Sequence, residues 1–382
     1  MTDHYANQTD IRLRFHDERG DLISLMSNVV QLPTSLQWTR SLNRMDVMNF
    51  TVPLGHEILS LLNLNRAGQY VILERRTALQ RNWTYAWGGI LTKVHRLYSS
   101  DKQEVNLRAN SWEWLLQSRE VWWDQDVDRR TVWTDATLGS IVQDLLDANL
   151  GSLATTDHGR WDNSRVTWPS LSYRLDPGES HDWHVRDQTV LQLMSELAGL
   201  EDMAFDMRWQ APNTIQFHMS MRPLGVDRSI QGTDFRLLSP RWNTVERVEE
   251  ILDIGNVITN VAVRDADSEN GNTFVSLNFS YNAPRREARF QKPQSEISAE
   301  SAGQAWLDQN LIQARVVSIK PNLRRVLWGR DFDLGDRIAI QVFHTDEILI
   351  GEIHAVKGSY SSAQGERINM DIKIPYAGMY GV

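Results

Sequence analysis

The chain contains no cysteine. Disulfide staples, thiolate zinc sites and cysteine nucleophiles are therefore excluded, although the absence does not identify a compartment. It also lacks a continuous apolar stretch of about 18 residues, so no membrane span is expected. Its first residues, MTDHYANQTDIRLRF, lack the charged-then-apolar pattern of a leader, and export by the usual route is not expected. Excess positive charge is missing too: 40 Lys and Arg against 49 Asp and Glu leave a net charge of −9. That is the wrong sign for a protein that grips phosphates through counterion release, so nucleic acid is expected to pass rather than stick. A G-x-S-x-G elbow, a P-loop and an H-E-x-x-H helix are all absent.

What remains is ordinary globular material. With 382 residues, 41% of them hydrophobic and 23% charged, the chain has room for two or three domains, each with its own core. Up to about residue 120, short alternating runs such as QYVILERR and ILTKVHRL are separated by turn-type stretches, as in an antiparallel β domain. The period then changes. In TDATLGSIVQDLLDANLG, Leu138, Ile141, Val142, Leu145, Leu146 and Asn149 fall on one helical stripe, with Gly151 just past the end. RDQTVLQLMSELAG repeats the stripe at Val190, Leu193, Met194, Leu197 and Ala198, with Gly199 as the expected stop. AFDMRW and TIQFHM, separated by QAPN, predict a hairpin. The polar segment near 151–186 has no assignment. Strand patterns return after about 240, interrupted by one helix whose cap is placed at Ser301 and Gln304. They end in DRIAIQV, EILIGEIHAV and RINMDIKI, the last with Ile368, Met370, Ile372 and Ile374 on one face.

The chain repeats itself. YSSDKQE at 98–104 returns as YSSAQGE at 360–366. Gly89, Val94, Tyr98 and Glu104 match Gly351, Val356, Tyr360 and Glu366 in spacing, and GQYVI at 68–72 resembles GDRIA at 335–339 as a glycine turn feeding a strand. The fold class expected is α+β, mainly β. Two related β domains, 1–125 and 236–382, flank an inserted α+β domain, 126–235, and the second β domain carries a helix near 300–315.

With LQWTRSLNRMDVMNFTVP, GQYVILERR, WGGILTKVHRLY, VNLRANSWEWLLQSREVWW, SAGQAWLDQNL and FDLGDRIAIQV in this order, the chain resembles the tail-hub or baseplate-hub proteins of long-tailed phages and related contractile machines. The likeness is to the Gp37-like siphovirus tail protein family in particular, and it is one of pattern and element order over nearly the whole chain. It implies a non-enzymatic structural protein of the virion tail tip, made in the host cytoplasm. It implies a homotrimer in which each chain gives two tube-like β-barrels, matching a sixfold tube to a threefold tip. The implied neighbours are a distal tail or tube protein, a tape-measure protein and tip or fibre proteins. Genome DNA passes through without specific binding, and no cofactor or metal is implied. The negative net charge is compatible with an acidic lumen that repels phosphates. Some larger relatives carry a fused saccharide-cutting domain; this sequence ends eight residues after Ile374, so none is expected.

Other motifs have plainer readings. SWEWLLQSREVWW holds four tryptophans. Trp112, Leu115 and Leu116 have the spacing of a short packed helix, while Trp122 or Trp123 suits an interface. Asp124, Asp126 and Asp128 start like a calcium loop, but Arg129 replaces its glycine and Asp135 its glutamate. DADSENG at 265–271 fails similarly. His181 and His184 of HDWH lack an obvious third ligand. Two rival functions stay open: a saccharide-binding tail module using the tryptophans, and a cell-wall glycan hydrolase with carboxylates scattered in sequence.

Overall fold

The structure is a computed structural model. It describes residues 9–18, 20–27, 33–62, 68–77, 81–101, 103–121, 131–151, 170–185, 188–210, 214–252, 258–265, 272–276, 287–292, 298–312, 315–342, 347–361 and 365–374. The first third of the chain forms β1 (Asp10–His16), β2 (Leu22–Ser27), β3 (Ser35–Ser41), β4 (Val47–Pro53), a single helical turn α1 (Ile58–Leu61), β5 (Tyr70–Arg76), β6 (Thr84–Tyr98), β7 (Gln103–Ser111) and α2 (Trp114–Gln117). The alternation read from the sequence becomes two faces. In β3, Leu36, Trp38 and Arg40 are buried while Gln37 is exposed.

The middle holds β8 (Thr131–Thr137), α3 (Leu138–Asn149), β9 (Ser170–Leu175), β10 (Ser180–Val185), α4 (Val190–Leu200), β11 (Met203–Gln210) and β12 (Thr214–Met221). The hydroxyl of Thr137 caps α3 by accepting from the Ser140 N–H, and all six predicted stripe residues are buried. Thr189 and Gln192 form a capping box on α4, which runs through Gly199 instead of stopping there. β11 and β12 make the predicted hairpin, and β9 joins β12 in parallel. β9 and β10 thus occupy part of the segment that carried no assignment.

The last part holds β13 (Asp227–Arg228), β14 (Leu237–Leu238), β15 (Val245–Leu252), β16 (Asn260–Asp265), β17 (Asn272–Ser276), β18 (Glu287–Lys292), α5 (Ala299–Ile312), β19 (Arg315–Pro321), β20 (Arg337–Gln341), β21 (Ile348–Ser361) and β22 (Gly365–Lys373). Within it, β16–β18 and α5 form a second small α+β unit around Val261, Val263 and Leu307; the strand pattern and the helix are expected from the sequence, but their separation from the large sheet is not. The helix begins earlier than expected, because Ser298 Oγ accepts from the Ser301 N–H and so takes the cap assigned to Ser301. β13 at 227–228, ahead of the expected boundary at 236, already pairs with β20.

The class is α+β, mainly β, as expected. The two ends, however, do not close into separate barrels among the described residues. Their strands join one sheet in the order β15-β19-β22-β21-β3-β4-β7-β6-β5-β1-β2, with β20, β13 and β14 branching off β21. The join is the antiparallel pair β21–β3, from Ala355 opposite Ser41 to Ser361 opposite Ser35. An edge that self-closure would need is used instead to bond the two ends to each other.

β6 and β21 are long enough to serve different partners along their lengths. Their first halves pair with β5 and β20, and their second halves with β7 and β22. The sheet therefore bends at both and folds back on itself. Phe15 of β1 meets Phe50 of β4 at 5.9 Å between ring centroids although their strands are not neighbours. One apolar core results, running from Leu13 and Phe15 through Phe50 and Leu107 to Ile338 and Met370. Among the described residues nothing covers the opposite face of β22-β21-β3-β4-β7, where Gln37, Asn49, Arg108, Lys357, Arg367 and Asn369 are exposed. A second core packs α3, α4, β11 and β12 against Tyr70, Ile72, Ile90 and Trp112 on the outside of β5 and β6.

Candidate functional site

The repeat residues lie at matching places in two strand sets. The first set runs β3-β4-β7-β6-β5 and the second β15-β19-β22-β21-β20. Gly89 stands opposite Val71, and Gly351 opposite Ile338, the partner that the matched glycine turns assign to it. Both long strands then break register, between Leu91 and Lys93 in one and between Ile353 and Ala355 in the other. The glycines answer crowding. A Cβ at Gly89 would lie 2.0 Å from the Asn110 carbonyl oxygen, and one at Gly351 would lie 2.6 Å from Ile372 Cγ2.

Val94 faces Leu107 and Val356 faces Met370. Tyr98 faces Gln103, however, whereas Tyr360 faces Glu366, so the correspondence drawn between Glu104 and Glu366 shifts by one residue. The cause is a turn that differs by one residue, and in a strand such a shift reverses the side-chain face. Glu104 lies on the outward side of β7 with Arg108, while the Glu366 side chain turns inward and is 5% exposed. The two tyrosines also differ in surroundings. Tyr360 packs against the main core beside β3, whereas Tyr98, with no strand among the described residues on the outer side of β6 at its level, is 74% exposed.

Two buried ion-pair junctions hold the fold together. At the first, Arg75 of β5 donates to both carboxylate oxygens of Glu366 at 3.0 and 2.7 Å and to the Trp328 carbonyl at 3.0 Å. Its guanidinium also lies 5.0 Å from the centre of the Trp328 ring, which stacks on Trp38 at 4.9 Å. β5, β3 and β22, from opposite ends of the chain, meet here. At the second, Arg40 of β3 and Arg208 of β11 both bind Asp206, and Glu113 accepts from the Met207 N–H at 3.0 Å. Beside them Asn43, in a left-handed turn with φ 60°, exchanges bonds with Phe205, accepting its N–H at 2.7 Å and donating to its carbonyl at 3.1 Å. This junction docks the inserted domain on the sheet.

The second junction splits two neighbouring carboxyls in pKa. Burial, then the charge of Asp206, pushes Glu113 up from 4.5 to about 8. Burial alone would raise Asp206 as well, but Arg40 and Arg208 outweigh it and hold that carboxyl below its ordinary value. Such a split also marks acid and base in glycosidases. Here both groups are walled in beside a void of about 10 Å³, too small for a sugar ring. The arrangement is structural. Because Glu113 has a raised pKa in the fold, its contribution to stability is full below pH 4.5 and is lost as pH rises through about 8. Glu113→Gln, a permanent mimic of the neutral acid, is therefore expected to gain in melting temperature relative to the wild type as pH is raised across this window. Parallel melting profiles would contradict the assignment.

The other sequence candidates separate clearly. Trp112, Leu115 and Leu116 are buried in the second core, as a packed helical turn requires. Trp122 and Trp123, the aspartates at 124, 126 and 128, and residues 266–271 lie outside the described residues. The backbone of His181 and His184 lies in β10, paired with β8, and no group of three or more metal-ligating side chains occurs among the described residues. On the uncovered sheet face, a groove of about 480 Å³ crosses the β3–β21 join, lined in part by Gln37, Thr39, Asn49, Lys357, Ser359 and Asn369. Sequence reasoning missed both junctions, since Arg75 and Glu366 stand 291 residues apart and Arg40 and Asp206 stand 166 apart.

No protein-family model and no curated protein sequence matches the chain. Solved structures do. A 43 kDa tail protein of prophage MuSo2 from Shewanella oneidensis is 11% identical, with a TM-score of 0.58 over 97% of this chain and 98% of that one. A tail protein from Neisseria meningitidis is 11% identical, with a TM-score of 0.60 over 96% of each chain. An E. coli component of the type VI secretion system, described as similar to the T4 tail proteins gp27 and gp5, is 11% identical, with a TM-score of 0.50 over 92% of this chain and 75% of that one. The chain has the fold of phage tail proteins over nearly its whole length.

Proposed function

We propose that the chain is the structural hub of a phage tail tip, a homotrimeric ring through which the genome leaves during ejection. The observation that carries this reading is the repeated strand order within a single sheet. One chain presents two like sets of strands side by side, so three chains present six, which is what joining a threefold tip to a sixfold tube requires. The fold shared with tail proteins and with a secretion-system component points the same way.

In this reading the two strand sets, roughly 1–125 and 236–382, descend from one β domain, and Gly89, Val94 and Tyr98 correspond to Gly351, Val356 and Tyr360. The inserted domain at 126–235 sits outside and holds other tip components. The distal tail or tube protein and the tape-measure protein meet the ring from above, and tip or fibre proteins meet it from below. The uncovered face of β22-β21-β3-β4-β7 lines the channel. Its exposed charges are Arg108, Lys357 and Arg367, with the half-exposed Glu104 on β7 and Asp371 beside Lys357, so the acidic excess of the chain is not concentrated here. A surface of amides and hydroxyls with scattered cations lets a duplex slide without base readout. The chemistry is assembly, not catalysis.

Obligate rings of this kind bury about 2,000 Å² or more at each interface, so dilution does not separate them readily. Mass measured in solution is expected to be three times that of the chain, with a central hole in averaged electron micrographs. A stable monomer without a hole overturns the proposal.

A further inference from the structure

The sheet contains one junction between its two strand sets, and each set leaves the counterpart of that junction open. Inside the chain, the second half of β21 pairs with β3. The counterpart of β21 is β6. From Thr92 to Tyr98, β6 has β7 on one side and no strand on the other among the described residues. The counterpart of β3 is β15, which has β19 on one side and is the end of the sheet on the other. Both edges expose large apolar side chains, Tyr98 at 74% and Ile251 at 52%. An open edge of this kind is a template for another strand.

We infer that β15 of one copy adds antiparallel to the second half of β6 of the next copy, repeating the β21–β3 junction between chains. This sharpens the ring proposed above and rests on that reading. The register follows from the pairs already present. Leu36 and Val248 hold equivalent places, because Leu36 faces Phe50, Phe50 faces Leu107, Val248 faces Ile319 and Ile319 faces Met370, while Leu107 and Met370 face the matched Val94 and Val356. Tyr360 faces Leu36, so Tyr98 faces Val248 of the next copy. By the same step Gly358 opposite Trp38 becomes Arg96 opposite Glu250, and Ser359 opposite Gln37 becomes Leu97 opposite Glu249.

Charge agrees with this register, which was set by geometry alone. In this register Arg96 on the open half of β6 faces Glu250 on β15, whereas Glu246 and Glu249 are paired within the chain with Lys320 and Arg247. Opposite charges on facing strands favour pairing, and like charges would oppose it. Within the chain, Gly358 makes room for the Trp38 indole, which would lie 2.1 Å from a Cβ there. Between copies that steric pair is replaced by a charge pair, which distinguishes the interchain junction from the internal one and guards against mispairing.

The edges are different surfaces, so the contact is head-to-tail and closes only as a ring. Eight strands per chain, β15 to β6, run through it. Three copies would supply about 24 strands spaced about 4.8 Å apart, a wall roughly 37 Å across from backbone to backbone.

The absence of cysteine makes the test clean. Two full-length variants are oxidised, Tyr98→Cys with Val248→Cys and Leu97→Cys with Glu249→Cys. Adjacent antiparallel pairs alternate between about 4.5 and 5.5 Å in Cα separation, so at least one variant falls well within disulfide reach. The expected result is a covalent ladder ending at the trimer, lost on reduction. Arg96→Glu and Glu250→Arg are each expected to weaken assembly at least tenfold, and the double exchange is expected to restore it. A trimer that forms neither cross-link and ignores both reversals overturns the register while leaving the hub reading intact. A monomer at all concentrations overturns both.

Discussion

Arg75→Met is expected to destabilise the fold by about 3–5 kcal/mol, because it strands the Glu366 carboxylate, 5% exposed, with no cation to answer it. Coulomb attraction alone does not set this figure. A carboxylate taken out of water loses its hydration, and here the Arg75 fork restores it through two hydrogen bonds while closing the Trp328 and Trp38 stack beneath. Pairing Arg75→Met with Glu366→Leu removes both charges and is expected to recover most of the loss, since an apolar pair of similar size costs little in a buried site. The check is urea unfolding followed by tryptophan fluorescence, to which Trp328 and Trp38 contribute among the 15 tryptophans of the chain. If the single variant unfolds with the wild type, the junction between the two ends of the chain lies elsewhere.

Asp206→Ala is expected to cost a similar 3–5 kcal/mol, but in a different place. It leaves the buried Arg40 guanidinium without its carboxylate and leaves Arg208 only its longer pair with Asp333, loosening the inserted domain from the sheet. The same change removes the negative charge that helps hold Glu113 neutral. The Glu113 carboxyl is then expected to ionise more easily and to take over part of the pairing with Arg40, so the loss shrinks as pH rises. Limited proteolysis separates this variant from the first: cuts in the inserted domain are expected to come early, with the sheet still protected. Uniform digestion of both parts would show that they unfold as one unit.

Local physics made much of this fold legible in the sequence. The stripe from Leu138 to Asn149 became α3 because a helix buries one residue in every three or four, and a chain that places apolar groups there has few other ways to hide them. RINMDIKI became a strand with Ile368, Met370, Ile372 and Ile374 inward for the corresponding reason at period two. Helix ends were less legible. Gly199 looked like a stop, yet α4 continues past it, because a glycine in a helix costs only about 1 kcal/mol, which packing against the second core offsets. Ser298 displaced Ser301 as the cap of α5, since either serine can accept the bond and the tertiary position of the helix decides which one does.

The repeat lies between these cases. Spacing alone matched Gly89 with Gly351 and Tyr98 with Tyr360, because the crowding that demands glycine and the register break that follows it are properties of the strand. It could not show that Glu366 turns inward while Glu104 stays half-exposed. That depends on one residue in a turn, and a strand converts one residue into a change of face.

By itself, then, the sequence determined the class of the fold, its longer helices and most strands, and the absence of cysteine-based chemistry. Only the tertiary structure decided that the two ends share one sheet and one core, that Arg75 finds Glu366 and Arg40 finds Asp206, and that among the described residues β6 and β15 are left as open edges. The division has a physical cause. Periodicity and crowding act between near neighbours and are written in every short stretch, whereas strand pairing and buried charge join residues whose separation along the chain carries no local mark.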